Sequence, residues 1–215
     1  MSQALTPREK LLQLLARESF KLGEFKLSSG GTSDYYIDCR TTTLHADGAR
    51  LVGRVVMDLM QEKGWRPKAI GGMTMGADPI VTAVSIMSAQ QIMTRAPART
   101  KPVDGDEYWI HGFLVRKQEK GHGTGRRIEG FSRKMAKVVI VDDVCTTGAS
   151  TIGAIEAARE AGFDIIGVLC LVEREEAGGR AAVEKAAAPA KFVSLFTAKE
   201  VREEHIRQKK EAEEA

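Results

Sequence analysis

Val138-Val139-Ile140-Val141-Asp142-Asp143-Val144-Cys145-Thr146-Thr147-Gly148-Ala149-Ser150-Thr151 is the stretch that decides the fold. Residues 138–141 are apolar and β-branched, the composition of a strand buried on both faces. Two adjacent carboxylates, Asp142 and Asp143, follow that run. A turn of small, hydroxylated residues comes next, and a helix is predicted over 150–161. Strand, turn and helix in that order form part of a parallel α/β unit, which binds ligands at the carboxyl ends of its strands. Free N–H groups at the helix start make an anion site, and Gly148 lets a phosphate approach the backbone. Thr146, Thr147, Ser150 and Thr151 add hydroxyl donors. A helix cap needs one acceptor, not two acids beyond an apolar strand. The stretch therefore suits a ligand with a phosphate and, near the acids, hydroxyls or a metal-bound group. A phosphorylated sugar meets that description.

Outward from this stretch, the chain alternates. Strands are predicted at 69–73, 110–115, 138–141, 165–172 and 192–196. Helices are predicted at 47–63, 77–94, 150–161 and 180–188, and a polar helix, read as solvated, over 199–215. Unbroken apolar strands between helices imply a parallel sheet covered on both faces. Ahead of the alternation, Thr6-Pro7-Arg8-Glu9 reads as a capping box with proline at the first helical position. Leu11, Leu12, Leu14, Leu15 and Phe20 give the helix its apolar stripe, and Gly23 is expected to end it. Two short extended segments, 24–27 and 35–38, are joined by a turn over 28–33.

Two segments do not fit the alternation. Residues 95–107, rich in Pro, Gly and charge, read as a surface loop. Residues 116–133 hold Arg116, Lys117, Lys120, His122, Arg126, Arg127 and Arg133 among four glycines. A loop of that length in a compact domain usually carries function.

Composition narrows the classes. The chain has 215 residues, 43% hydrophobic and 28% charged, ordinary for a globular domain able to bury a core without staples. The net charge of +3 does not argue for nucleic acid by bulk electrostatics. No apolar run approaches the ~18 residues of a membrane span, and the first residues lack a signal-peptide pattern. A cytoplasmic location is expected. Cys39, Cys145 and Cys170 are odd in number and widely spaced, which argues against a disulfide framework or a zinc site. Gly121-His122-Gly123-Thr124-Gly125 has the look of a dinucleotide fingerprint but lacks the apolar helix that must follow. Cys145 reads as a small filler beside the phosphate turn, and Met73 and Met75 as packing beneath a loop.

The 138–151 stretch resembles the phosphoribosyl pyrophosphate (PRPP) motif of type I phosphoribosyltransferases. Three further segments narrow the family. Phe25-Lys26-Leu27-Ser28-Ser29-Gly30, with Ser33-Asp34-Tyr35-Tyr36-Ile37-Asp38-Cys39-Arg40, is similar to the N-terminal signature of orotate phosphoribosyltransferases. Gly72-Met73-Thr74-Met75-Gly76-Ala77-Asp78-Pro79 resembles the loop that approaches the pyrophosphate, and Arg116-Lys117-Gln118-Glu119-Lys120-Gly121-His122-Gly123 the basic catalytic loop. The motifs run in the family's order from about residue 23 to residue 174. Where some members carry a substrate-contacting lysine, this chain has Ser28, so that role is not carried over.

The resemblance implies a type I phosphoribosyltransferase fold: one α/β domain with a central parallel sheet flanked by helices. It would divide into a small N-terminal hood (1–44), a core (45–198) bearing the basic loop (116–133), and a charged helical tail (199–215). It implies transfer of ribose 5-phosphate from PRPP to orotate, giving orotidine 5′-phosphate and pyrophosphate in pyrimidine biosynthesis. Asp142 and Asp143 would hold the ribose hydroxyls. Thr146, Thr147, Gly148, Ala149 and Ser150 would hold the 5-phosphate, with Val144 and Cys145 completing the PRPP-binding run. Thr146 and Arg174 would contact orotate, and Tyr35 and Tyr36 would lie near the base. Arg116, Lys117, Lys120 and His122 would bind the pyrophosphate, with Lys117 acting in the neighbouring subunit of a homodimer. Mg²⁺ would be held mainly through PRPP rather than by a protein ligand set.

The basic loop makes chemical sense without the name. Cleaving C1–O of PRPP places positive charge on the ribose and negative charge on the leaving group, so cations around the pyrophosphate lower the barrier. Glycines let such a loop close. A solvated basic hairpin or a nucleic-acid contact is the plainer alternative for four basic residues in positions 116–122. The acid pair beyond the next strand favours a small phosphate ligand. Two other functions remain open: the same transfer to a purine or uracil, and a non-catalytic PRPP-sensing regulator. The latter has no need of the basic loop.

Overall fold

The computed structural model describes residues 4–26, 31–95, 109–117 and 127–214. Helix α1 (Pro7–Leu14) starts on the expected capping box: Thr6 Oγ1 accepts from Glu9 N, and Glu9 Oε2 accepts from Thr6 N at 2.7 Å. It continues into a π-turn (Leu15–Ser19), and Phe20 then opens strand β1 (Phe20–Lys26). Gly23 therefore does not end the helix. It lies inside β1, at an irregularity in the antiparallel pairing with β2 (Thr32–Ile37). The chain leaves the helix earlier because Phe20 is buried in the core, stacked on Tyr35 of β2 with ring centroids 5.2 Å apart.

After the short helix α2 (Arg40–Thr43), the alternation begins: α3 (Ala46–Glu62), β3 (Ala69–Met73), α4 (Asp78–Arg95), β4 (His111–Val115), β5 (Ile128–Gly130), β6 (Lys137–Cys145), α5 (Ala149–Glu160), β7 (Asp164–Glu173), α6 (Gly179–Ala187), β8 (Lys191–Thr197) and α7 (Ala198–Glu213). Six strands form one sheet in the order β5-β4-β3-β6-β7-β8. All pairings in it are parallel except β4 with the edge strand β5.

β6 shows why the sheet sits centrally. Val139 and Val141 pack into a cluster with Val52 and Val56 of α3 and Ile80 and Val84 of α4. Val138 and Ile140, pointing the other way, pack with Ala154, Ile155 and Ala158 of α5 and Val183 of α6. Alternate side chains of one strand thus serve two apolar layers, each fully buried aliphatic contributing about 1.5–3 kcal/mol.

Three further differences from the sequence reading have physical causes. The segment 116–133 is not all loop, because β5 pairs with β4 and closes the stem of the basic stretch. β6 does not stop at Val141. It continues through Asp142 and Asp143 to Cys145, because β7 keeps pairing with it as far as Cys145↔Glu173. The final helix is not wholly solvated. Val201 is buried, His205 Nδ1 lies 2.7 Å from the Ala16 carbonyl, Gln208 Nε2 donates to the Gln13 carbonyl at 3.0 Å, and Arg8 pairs with Glu200 at 2.9 Å. Among the described residues no helix is long and apolar enough to cross a membrane.

Candidate active site

Because β3, β4, β6 and β7 run parallel, their carboxyl ends share one edge of the sheet. That edge presents Thr74 and Met75 after β3, Arg116 and Lys117 after β4, the acid pair of β6, and Arg174 after β7. The Thr74–Met75 peptide is cis, and Thr74 Oγ1 donates to Asp78 Oδ2 at 2.7 Å. Arg116 is held at the base of the basic stretch by Arg127, whose carbonyl accepts from Arg116 N at 2.9 Å, and by Glu129, 3.1 Å away. Lys117 is exposed.

The two acids are not equivalent. Asp142 is buried. Its Oδ2 accepts from Thr151 Oγ1 at 2.7 Å, and its Oδ1 accepts from Asp143 N at 3.1 Å. Burial pushes its carboxyl up to about 7, against the counter-effect of the Thr151 hydroxyl. Thr151, expected to face the ligand, instead secures Asp142 from the first turn of α5. Asp143 is half-buried; its Oδ1 accepts from Val144 N at 2.9 Å, and its side chain also interacts with the neighbouring Asp142 carboxyl. It faces the loop after β3, since a Cβ at Gly76 would stand 2.4 Å from Asp143 Oδ1.

Beyond β6, Gly148 takes the left-handed conformation (φ 79°) and caps α5, and among the described residues no side chain bonds the helix's first N–H groups. Thr147, Ala149 and Ser150 are exposed around it. An uncapped helix start with exposed hydroxyls is an anion site ready for use. The turn rests on α6: a Cβ at Gly179 would stand 2.1 Å from the Thr146 carbonyl oxygen and 2.8 Å from Gly148 N. Cys145 and Val144 turn their side chains into the two apolar layers, so only their backbone faces this edge.

On the far side, Arg174 joins the sheet to the N-terminal hairpin. Its N–H donates to the Cys145 carbonyl at 2.9 Å, fixing where the side chain departs. Nε donates to Tyr35 Oη at 2.9 Å and Glu176 Oε1 at 3.0 Å, and Nη2 donates to Ser33 Oγ at 3.1 Å. Tyr35 Oη in turn donates to Glu176 Oε1. The guanidinium lies 4.5 Å above the Tyr35 ring, Tyr35 stacks on Phe20, and Phe20 meets the His205 ring with centroids 5.1 Å apart. A column of four side chains therefore runs from α7 to this edge. Burial, followed by the Glu176 carboxylate, pushes the Tyr35 hydroxyl up to about 12, so it stays protonated and donating.

The structure thus brings Arg116, Lys117, Asp142, Asp143, Thr146, Thr147, Gly148, Ala149, Ser150 and Arg174 to one edge. Lys120, His122, Ser28 and most of the 95–107 loop lie outside the described residues. Tyr36 is exposed beside Phe25 and does not share Tyr35's place against Arg174. Sequence reading missed Glu176, which carried no motif signal, and the buried Glu173, held by Arg180 and by Ser194 Oγ at 2.8 Å. An acid closing an apolar strand was the available hint for Glu173. Among the described residues no three His, Cys, Asp or Glu side chains converge to hold a metal ion.

A mostly parallel sheet offering an acid pair, an uncapped glycine turn and the stem of a basic loop along one edge defines a type I phosphoribosyltransferase fold. Over 197 residues the chain is 40% identical to the orotate phosphoribosyltransferase of Aquifex aeolicus, covering 90% of this chain and 97% of that one. The chain belongs to the orotate phosphoribosyltransferase family. Among solved structures, orotate phosphoribosyltransferase of Mycobacterium tuberculosis in complex with Fe(III) dicitrate superposes with a TM-score of 0.71 at 33% identity, covering 91% of this chain and 99% of that one. The same enzyme in complex with PRPP superposes with a TM-score of 0.65 at 28% identity, covering 93% of each chain. No family model matches the chain.

Proposed function

We propose that this chain is a cytoplasmic orotate phosphoribosyltransferase, transferring the 5-phosphoribosyl group of PRPP to orotate in pyrimidine biosynthesis. One observation carries the reading: the acid pair, the phosphate turn and the held arginine lie along a single sheet edge, a set of groups suited to a sugar, its phosphate and a flat anionic base.

Each residue then has a task. The N–H groups at the start of α5, with Thr147 and Ser150, hold the 5-phosphate. Asp143, the more exposed acid of the pair, grips the ribose hydroxyls. Asp142, anchored on Thr151, fixes the strand and the Asp143 N–H from behind. Arg116, Lys117, Lys120 and His122 gather on the leaving pyrophosphate and stabilise the charge that develops there. Arg174 faces the orotate carboxylate with Thr146 nearby; a planar fork matches a carboxylate better than a point charge does.

The donor set fits a magnesium ion held through the substrate. Asp142 is buried and held by Thr151 and Asp143 N, which leaves the more exposed Asp143 as the better placed acid of the pair. Mg²⁺ keeps water and phosphate oxygens as ligands and needs few protein carboxylates. When bound, it offsets the charge of the pyrophosphate.

The basic stretch leaves the sheet at Lys117 and returns at Arg127. We place its cations over the neighbouring site of a homodimer, with Lys117 acting in trans. Incubating the purified protein with orotate, PRPP and Mg²⁺ should deplete orotate absorbance and yield orotidine 5′-phosphate. If a base-free control and the orotate reaction consume PRPP alike, with no orotidine 5′-phosphate formed, the assignment fails.

A further inference from the structure

We infer that Glu176 is a positioning residue for base recognition, clamping Arg174 together with Tyr35 and Ser33 so that one edge of the guanidinium faces the substrate. The inference rests on the assignment of Arg174 to the base carboxylate. An arginine has five N–H donors in a planar fork. Here Nε is engaged by Tyr35 and Glu176, and one Nη2 hydrogen by Ser33. Among the described residues nothing engages Nη1 or the second hydrogen of Nη2. Those remaining donors form the Nη1–Nη2 edge, which is the edge that binds a carboxylate through two parallel hydrogen bonds.

Three contacts on the opposite edge remove the freedom of the arginine. The Tyr35 ring lies under the guanidinium, and its hydroxyl bridges Nε to Glu176. Ser33 is itself fixed, since its hydroxyl donates to the Tyr35 carbonyl at 2.8 Å. Glu176 is 54% exposed, whereas the Arg174 side chain is only 12% exposed. An ion pair with so open a partner contributes little to folding. Its effect is on orientation: it holds a fork that would otherwise sample rotamers before meeting a base. Glu176 also reads Tyr35, because loss of its carboxylate frees the hydroxyl to turn away. It sits one residue beyond Glu175, in the 3₁₀ turn Glu175–Ala177 that immediately follows Arg174. Local chain geometry therefore holds acid and arginine together without help from distant packing.

Steady-state kinetics on the full chain test this with orotate, PRPP and uracil, a base lacking the carboxylate. For Glu176→Gln the KM for orotate should rise about tenfold, while kcat and the KM for PRPP stay within about twofold. Any turnover of uracil should be unchanged, and the melting temperature should stay within about 2 °C. Tyr35→Phe, which removes only the bridging hydroxyl, should shift the orotate KM in the same direction. It carries the test if Glu176→Gln does not fold. An unmoved orotate KM overturns the inference, as does an equal rise for both substrates. A wild-type protein inactive on orotate sinks the assignment of function itself, whereas an active wild type with insensitive variants sinks only the clamp.

Discussion

Gly179 closes on Thr146 so tightly that a side chain there would stand 2.1 Å from the Thr146 carbonyl oxygen. The first residue of α6 is thus the backstop of the phosphate turn, and the turn's shape depends on a helix that contributes nothing to the ligand. The ion pair of Arg180 with the buried Glu173 holds that helix start against β7. Gly179→Ala should force the turn or α6 to shift, destabilising the fold by about 1–3 kcal/mol. It should also raise the KM for PRPP about tenfold or more with a smaller effect on orotate. A PRPP titration checks this; an unchanged KM in a folded variant removes the turn from phosphate binding.

Asp142 offers a test in which stability and activity move in opposite directions. Burial holds its carboxyl at about 7, above the ordinary 3.8, so between those values the folded protein binds the proton that the unfolded chain has lost. Stability tied to this group is therefore full at low pH, declines as pH rises through the window, and is lowest above about 7. Asp142→Asn keeps the shape and removes the charge. Its melting temperature should exceed wild type by a few degrees at pH 8 and match it near pH 4, at about 2–4 °C per kcal/mol for this chain size. Activity should fall, because the amide nitrogen cannot accept from Thr151 Oγ1 and the side chain that holds the Asp143 N–H loses that anchor. Melting curves across pH decide the matter; a variant less stable at pH 8 than at pH 5, relative to wild type, contradicts the burial argument.

The homodimer with an exchanged lysine predicts complementation. Lys117→Ala and Asp143→Ala should each be nearly inactive alone. Co-expressed at equal levels, they should recover about a quarter of wild-type activity, because half the dimers are mixed and each mixed dimer has one intact site. No recovery in confirmed mixed dimers places Lys117 over its own site.

Much of this was legible in the sequence, for identifiable reasons. Residues 138–141 are apolar at every position, which only a doubly covered strand tolerates, and the hydroxyl-rich glycine turn is itself a local chemical statement. Local signals failed where distant pairing decided the outcome. β5 is three residues long with little apolar content, and it exists because β4 lies beside it. β6 runs past its apolar core because β7 supplies partners for the acids. Gly23 looks like a helix stop, yet the buried ring of Phe20 had already ended the helix. Thr151 looks like a ligand hydroxyl, yet a buried carboxylate 2.7 Å away claims it. Glu176 sits two residues from Arg174, but its bridge to Tyr35 spans 141 positions and leaves no local signal.

The column His205–Phe20–Tyr35–Arg174 gives the last helix an unexpected reach. Removing the His205 ring should therefore loosen Tyr35 against Arg174 and raise the KM for orotate more than that for PRPP, a change read far from any residue that touches the base. Sequence drift on this outlying charged surface is a route by which evolution could retune selectivity without disturbing the sugar-binding machinery.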